Sequence, residues 1–169
     1  AALLAGLEVT LLEMSAEAGQ AARDRIERNL SGAVKRGKIT PNQHDQILTH
    51  TLVVVTNYEK LHDVDLVIEA VFEDMGVKKK VFGELDRVCK QGAILASNTS
   101  YLDINEIAAS TSRPADVLGL HFFSPAHVMK LLEVVVADKT APDVTATGFA
   151  LGKMLGKISV RAGVCDGFI

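Results

Sequence analysis

The chain has 169 residues, 48% hydrophobic and 23% charged, with a formal net charge of -3. That length suits one domain at roughly 100–200 residues each, and the composition excludes disorder, collagen and coiled coil. A slightly acidic chain lacks the basic footprint of a nucleic-acid binder. No apolar run approaches the ~20 residues that cross a bilayer, so neither nucleic acid nor a membrane span is expected. The two cysteines, Cys89 and Cys165, belong to no Cys-x-x-Cys or Cys/His cluster, which excludes a zinc site and a disulfide framework. A reducing compartment follows.

The first residues, Ala1-Ala2-Leu3-Leu4-Ala5-Gly6, read as the last turn of a helix closed by a left-handed glycine. So short a run cannot nucleate a helix alone, and a strand, a turn and most of a helix are expected upstream. Residues 8–13 predict a strand. Ser15 then caps a helix to about residue 36, with Ala18, Ala22, Ile26, Leu30 and Val34 recurring every fourth position. Thr40-Pro41-Asn42-Gln43 is a capping box with proline at the first helical position, which predicts a shorter helix to about residue 49. The β-branched runs 52–56 and 66–70 are of the buried-strand type. Asp74 caps a helix to residue 89 whose apolar face is Val77, Val81, Leu85 and Val88. A buried strand at 93–97, a short helix at 103–109 and strands at 117–123 and 129–136 come next. A helix over 142–155 and a strand over 158–161 complete the order. Strands alternating with helices define an α/β fold, a doubly wound and mostly parallel sheet covered on both faces.

In such a sheet ligands sit outside the carboxyl ends of the strands. That rule selects Glu13, the segment from Ala70 to Glu73, Asn98-Thr99-Ser100 and the residues after His121. An acid at Glu13 suits an adenosine ribose and repels a 2′-phosphate, yet alone it reads more readily as a solvated strand-end carboxylate. Asn98-Thr99-Ser100 also suits a simple turn, and Lys78-Lys79-Lys80 suits a solvated helix face.

The sharpest feature is the block from His121 to Val135, two strand-like runs around Ser124-Pro125-Ala126-His127. A hairpin centred on His127 sets His121 opposite Glu133, with Cβ atoms ~5 Å apart. A carboxylate there raises the basicity of an imidazole and fixes its tautomer. A structural ion pair at a sheet edge has the same spacing, and spacing alone does not separate the two. His44, His50, His62 and His127 occur singly, and no metal site is expected.

These segments resemble the NAD-binding domain of the L-3-hydroxyacyl-CoA dehydrogenases of fatty-acid β-oxidation, a Rossmann-like fold. The resemblance rests on residues 65–73, on Ser97-Asn98-Thr99-Ser100, on residues 121–135 and on residues 163–169, and it covers essentially the whole chain. Ser124 and the Gly163-Val164-Cys165-Asp166-Gly167 run look closer to the multifunctional β-oxidation enzymes than to the single-function ones. The resemblance implies that His121 is the general base, Glu133 its partner, and Ser100 a contact to substrate hydroxyl and cofactor. It implies further that Glu13 holds the adenosine ribose of NAD, that Glu73 and Lys78 lie near the nicotinamide-side ribose and Ser124 near the nicotinamide, and that Ala70 and Asn98 bind the cofactor. Ser124 stands where many relatives carry asparagine.

An acyl-CoA substrate follows, and a full-length protein that is a homodimer or part of a multifunctional enzyme. Residues 1–169 are expected to be one NAD-binding domain lacking its first strand, its glycine loop and the helical C-terminal domain, binding NAD weakly alone. A bacterial cytoplasm is the expected compartment, or a peroxisome or mitochondrion in a eukaryote. A hydroxy-acid dehydrogenase of the same superfamily and a non-catalytic nucleotide-binding or oligomerisation module remain open as alternatives.

Overall fold

A computed structural model describes residues 1–168. By contacts it divides into two compact units, Ala1–Lys60 and Leu61–Ile169. In the first unit a 3-10 turn, Ala2–Ala5, ends at Gly6 with φ 81°, the left-handed cap the opening residues imply. Strand β1 (Val9–Leu12) pairs in parallel with β2 (Leu52–Val55). Helix α1 (Ala16–Lys35) joins them and starts at Ser15, whose hydroxyl accepts the Ala18 N–H. It lies close over β2, because a Cβ on Gly19 would come within 2.8 Å of Val54 Cγ1.

Helix α2 (Pro41–Gln46) forms the reciprocal capping box at Thr40 and Gln43. It stops short of residue 49 and passes into a π-helical turn, Ile47–Thr51. The Thr49 hydroxyl donates to the Asp45 carbonyl at 2.7 Å, a back-bond that competes with the helical ladder and loosens it.

The second unit is a five-stranded sheet in the order β3-β4-β5-β6-β7. Its strands are β3 (Leu66–Glu69), β4 (Ile94–Ser97), β5 (Val117–Phe122), β6 (Leu131–Val135) and β7 (Ile158–Ala162). Every neighbouring pair is parallel except β5–β6, which is antiparallel, as the hairpin pattern predicts. Helices α3 (Met75–Val88), α4 (Ile104–Ala108) and α5 (Pro142–Met154) cover it.

Alternation along β5 and β6 sorts the two faces. Leu118, Leu120, Leu132 and Val134 join Ile94, Ala96 and Val144 in one apolar cluster. Helix α5 meets this face through Gly148 and Gly152. An added Cβ on Gly148 would sit 3.0 Å from Leu118 Cδ1, and one on Gly152 would sit 3.1 Å from Leu132 Cδ2. The opposite face carries Gly119, whose missing side chain makes room for Val135 and Ile104, and next along the same strand, His121.

Two sequence expectations shift here. Strand β6 begins at Leu131 and not at 129, because the Val128 and Met129 N–H groups turn back to the Pro125 carbonyl. The buried face of α3 is Lys78, Phe82, Leu85 and Val88, one residue round from the valine stripe. The larger Phe82 ring takes the inward position, and Lys78 finds a buried acid beneath it. Among the described residues no helix is long and apolar enough to cross a membrane.

Candidate active site

The β5–β6 register sets His121 opposite Glu133. Their side chains meet, Nδ1 lying 2.5 Å from Glu133 Oε2. The carboxylate is 1% exposed and the imidazole 15%, so the acid is sealed beneath a ring that solvent can still reach. An ionised carboxylate only accepts, so Nδ1 carries the proton and donates it. Nε2 is then left as a lone-pair acceptor. Phe123 packs against the imidazole with ring centroids 4.5 Å apart, and Phe168 meets it edge-on at 6.0 Å. Two aromatic walls and one hydrogen bond therefore fix the ring plane. Phe168 reaches this position from a left-handed backbone with φ 59°, held by the Cys165 thiol, which donates to the Phe168 carbonyl, and by burial of its own ring.

A second cluster occupies the carboxyl ends of β3 and β4. Glu69 ends β3 and faces Ser97 in register. Its Oε1 accepts from Lys78 Nζ at 2.8 Å and from the Val71 N–H at 2.6 Å, and its Oε2 accepts from the Ser97 hydroxyl at 2.7 Å. Lys78 and Glu69 are each 1% exposed. Lys78 also reaches Glu73 Oε2 at 3.2 Å and the Val71 carbonyl at 3.5 Å. Its three donor positions are thus committed inside the protein.

Glu73 is the exposed end of this chain. Its Oε1 accepts from the Thr99 hydroxyl and from the Ser100 N–H at 2.8 Å. Burial pushes its carboxyl up, but the hydrogen bonds from Thr99 and Ser100 and the charge of Lys78 outweigh that, and its pKa lies below the ordinary carboxylate value.

The remaining candidates sort by unit. In the second, Ala70 and Ser100 are exposed, Asn98 is half-buried and Ser124 is exposed on the turn after β5. Asn98 Oδ1 accepts the Phe122 N–H at 2.8 Å, which ties the end of β4 to the residue beside His121. Lys78 is no solvated helix face, since it supports Glu73 from beneath. In the first unit, Glu13 follows β1 directly, half-buried, with its N–H on the Val55 carbonyl at 3.0 Å.

Sequence reasoning passed over Glu69 and the two phenylalanine walls, and selected Thr99 within its strand-end run without giving it a role. For Glu69 a signal existed, because an acid inside an apolar strand run has no water and needs internal donors. Phe168 carried none.

These strand ends fit the nicotinamide half of a dinucleotide. Exposed Val71 and Phe72 offer apolar surface for a ring, and the strand ends add the Glu73 carboxylate, 30% exposed, with the side chains of Asn98 and Ser100. A doubly wound α/β sheet with polar groups at its strand ends defines a dinucleotide-binding domain, and the oriented imidazole adds a group that can move a proton. The chain belongs to the family described as 3-hydroxyacyl-CoA dehydrogenase, NAD binding domain, which it matches over residues 1–165.

Among curated relatives, the peroxisomal bifunctional enzyme of Danio rerio is 57% identical over 111 residues, covering 66% of this chain and 16% of that protein. The 3-hydroxybutyryl-CoA dehydrogenase of Clostridioides difficile is 45% identical over 144 residues, covering 85% of this chain and 51% of that enzyme. The crystal structure of 3-hydroxybutyryl-CoA dehydrogenase from Escherichia coli superposes with a TM-score of 0.95 at 42% identity, over 99% of this chain and 35% of the other. The chain therefore spans about half or less of the length of these relatives.

Proposed function

We propose that the protein oxidises the hydroxyl of an L-3-hydroxyacyl-CoA to the 3-ketone with NAD, and that His121 is the base. One observation carries this reading: Glu133, buried and acceptor-only, occupies Nδ1 of a His121 ring that stays 15% exposed, which leaves Nε2 to act as the acceptor. Nε2 accepts the proton of the 3-hydroxyl as the C3–H bond breaks. Glu133 stabilises the imidazolium that forms, and the walls of Phe123 and Phe168 keep the ring from turning away. A base held in this way contributes ~10²–10⁴-fold in rate. NAD, when bound, supplies the hydride acceptor. Loss of the hydroxyl proton to His121, and of the C3 hydrogen with its electron pair, leaves the carbonyl.

Glu13 takes the adenosine ribose and disfavours a 2′-phosphate, which selects NAD over NADP. Glu73 presents the exposed part of its carboxylate to the nicotinamide-side ribose, with Lys78 as its support. Ser100 contacts the substrate hydroxyl, Asn98 and Ser124 contact the nicotinamide side, and Ala70 is small enough to let the dinucleotide approach. Residues 1–169 serve as an NAD-binding domain within a homodimer or a multifunctional β-oxidation enzyme. Two free cysteines suit a reducing compartment, the cytoplasm of a bacterium or a peroxisome such as those named for the relatives.

The test is NADH formation by the protein at its full natural length. L-3-hydroxybutyryl-CoA should be turned over, and free L-3-hydroxybutyrate at a small fraction of that rate. Equal rates would make it a hydroxy-acid dehydrogenase. NAD binding without turnover of either compound would make it a binding module.

A further inference from the structure

Lys78, which pairs with Glu73, is also bound to a residue that none of the roles above uses. Glu69 is a fully buried acid in a strand whose other residues are Leu66, Val67 and Ile68. Burying a carboxylate is costly unless it is paired and hydrogen-bonded, and this one is met by an ammonium, a hydroxyl and a backbone N–H. Each donor belongs to a different piece of the strand-end apparatus. Lys78 comes from α3, Ser97 from the end of β4, and Val71 from the segment leaving β3.

The backbone of Glu69 extends the reach. Its carbonyl accepts the Asn98 N–H at 2.8 Å, and Asn98 in turn accepts the Phe122 N–H beside His121. Its side chain holds Lys78, Lys78 holds Glu73, and Glu73 holds the Ser100 N–H.

We propose that Glu69 is a positioning residue for the nicotinamide end of the site. It shares the charge of Lys78 with Glu73, so that Glu73 stays on Ser100 with its carboxylate still 30% exposed. This deepens the dehydrogenase reading and rests on it. With Glu69 ionised, the Glu69–Lys78–Glu73 cluster holds two negative charges against one positive, and Glu73 is only partly drawn inward. With glutamine at 69 the acceptor to Val71 and Ser97 survives, but Lys78 has Glu73 as its sole counter-charge. Glu73 is then pulled from Ser100 toward α3, and its exposed carboxylate edge is lost to a ribose.

The experiment compares two ligands on Glu69→Gln in the protein at its full natural length. NADH is titrated by its fluorescence, and ADP, which lacks the nicotinamide riboside, by calorimetry. NADH affinity should fall about tenfold, the scale of one hydrogen bond to a charged group, while ADP affinity stays within about twofold. Unchanged NADH affinity, or an equal loss for both ligands, overturns the proposal, because a residue that merely supports the fold would weaken both together.

Ser97→Ala removes one donor to Glu69 without altering charge. It should weaken NADH about threefold and leave ADP alone. If Glu69→Gln does not fold, Ser97→Ala decides, and an unchanged NADH affinity there overturns the proposal as well. A wild-type protein that binds NADH but oxidises no 3-hydroxyacyl-CoA defeats the dehydrogenase reading, while the contrast between NADH and ADP still judges Glu69.

Discussion

Two pairs of acid and base, one between strands and one between a strand and helix α3, differ in what they leave free. In the Glu133–His121 pair the acid is buried and the imidazole keeps one nitrogen uncommitted at a ring 15% exposed. In the Glu69–Lys78 pair both partners are buried, and every donor of the ammonium is already used. The first arrangement can move a proton and the second cannot. Burial of a charged pair is therefore no mark of catalysis by itself; the unpaired atom at its edge is. A buried pair with no such atom is scaffold, and its cost in desolvation is offset by the geometry it imposes on neighbours.

The contrast breaks most sharply under mutation. His121→Gln keeps a hydrogen bond within reach of Glu133 but has no base, so kcat should fall ~10²–10⁴-fold with little change in thermal midpoint. Lys78→Met should do the reverse at the level of the fold. It strands Glu69 without its counter-charge and should cost about 3–5 kcal/mol of stability in denaturant unfolding. A Lys78→Met protein as stable as wild type would mean that the two pairs are not different in kind.

A smaller effect sharpens the link between sheet packing and site. Gly119 lies two residues before His121 on the same face, and a Cβ there would stand 2.7 Å from Val135 Cβ, an atom with no freedom to move aside. Gly119→Ala should cost about 1–3 kcal/mol by overpacking. It should also lower turnover by shifting β5 against β6. Full stability with full activity would show that the strand pair tolerates displacement.

The smallest effect is acidic. The Glu73 pKa is lower in the folded protein than in the unfolded chain, so its ionised form stabilises the fold above the ordinary carboxylate range. That contribution is lost as pH falls through the depressed value, and Glu73→Gln should flatten the acid limb of a stability–pH curve. An unchanged limb would remove Glu73 from the account of acid stability.

Much of this was legible in the residues. The antiparallel β5–β6 pair and the facing of His121 and Glu133 follow from a connection symmetric about His127, because register in a hairpin is set by its turn. The caps at Ser15, Thr40 and Asp74 are local chemistry and form where the side chains indicate. What could not be read was set by tertiary contact. A run of three lysines looks solvated until an acid on a neighbouring strand draws one of them inward. Nothing in the periodicity of α3 says that Phe82 will displace the valines from the buried face. The position of Phe168 against His121 depends on a left-handed residue that no local pattern announces.

The central claim is that His121 holds its proton on Nδ1 and offers Nε2. Histidine nitrogen NMR at neutral pH reads this directly, with His121→Gln used to assign the resonances. The account predicts the Nδ1-protonated tautomer in the wild type, and loss of that tautomeric preference in Glu133→Gln. A proton on Nε2, or an imidazole indifferent to Glu133, would contradict it.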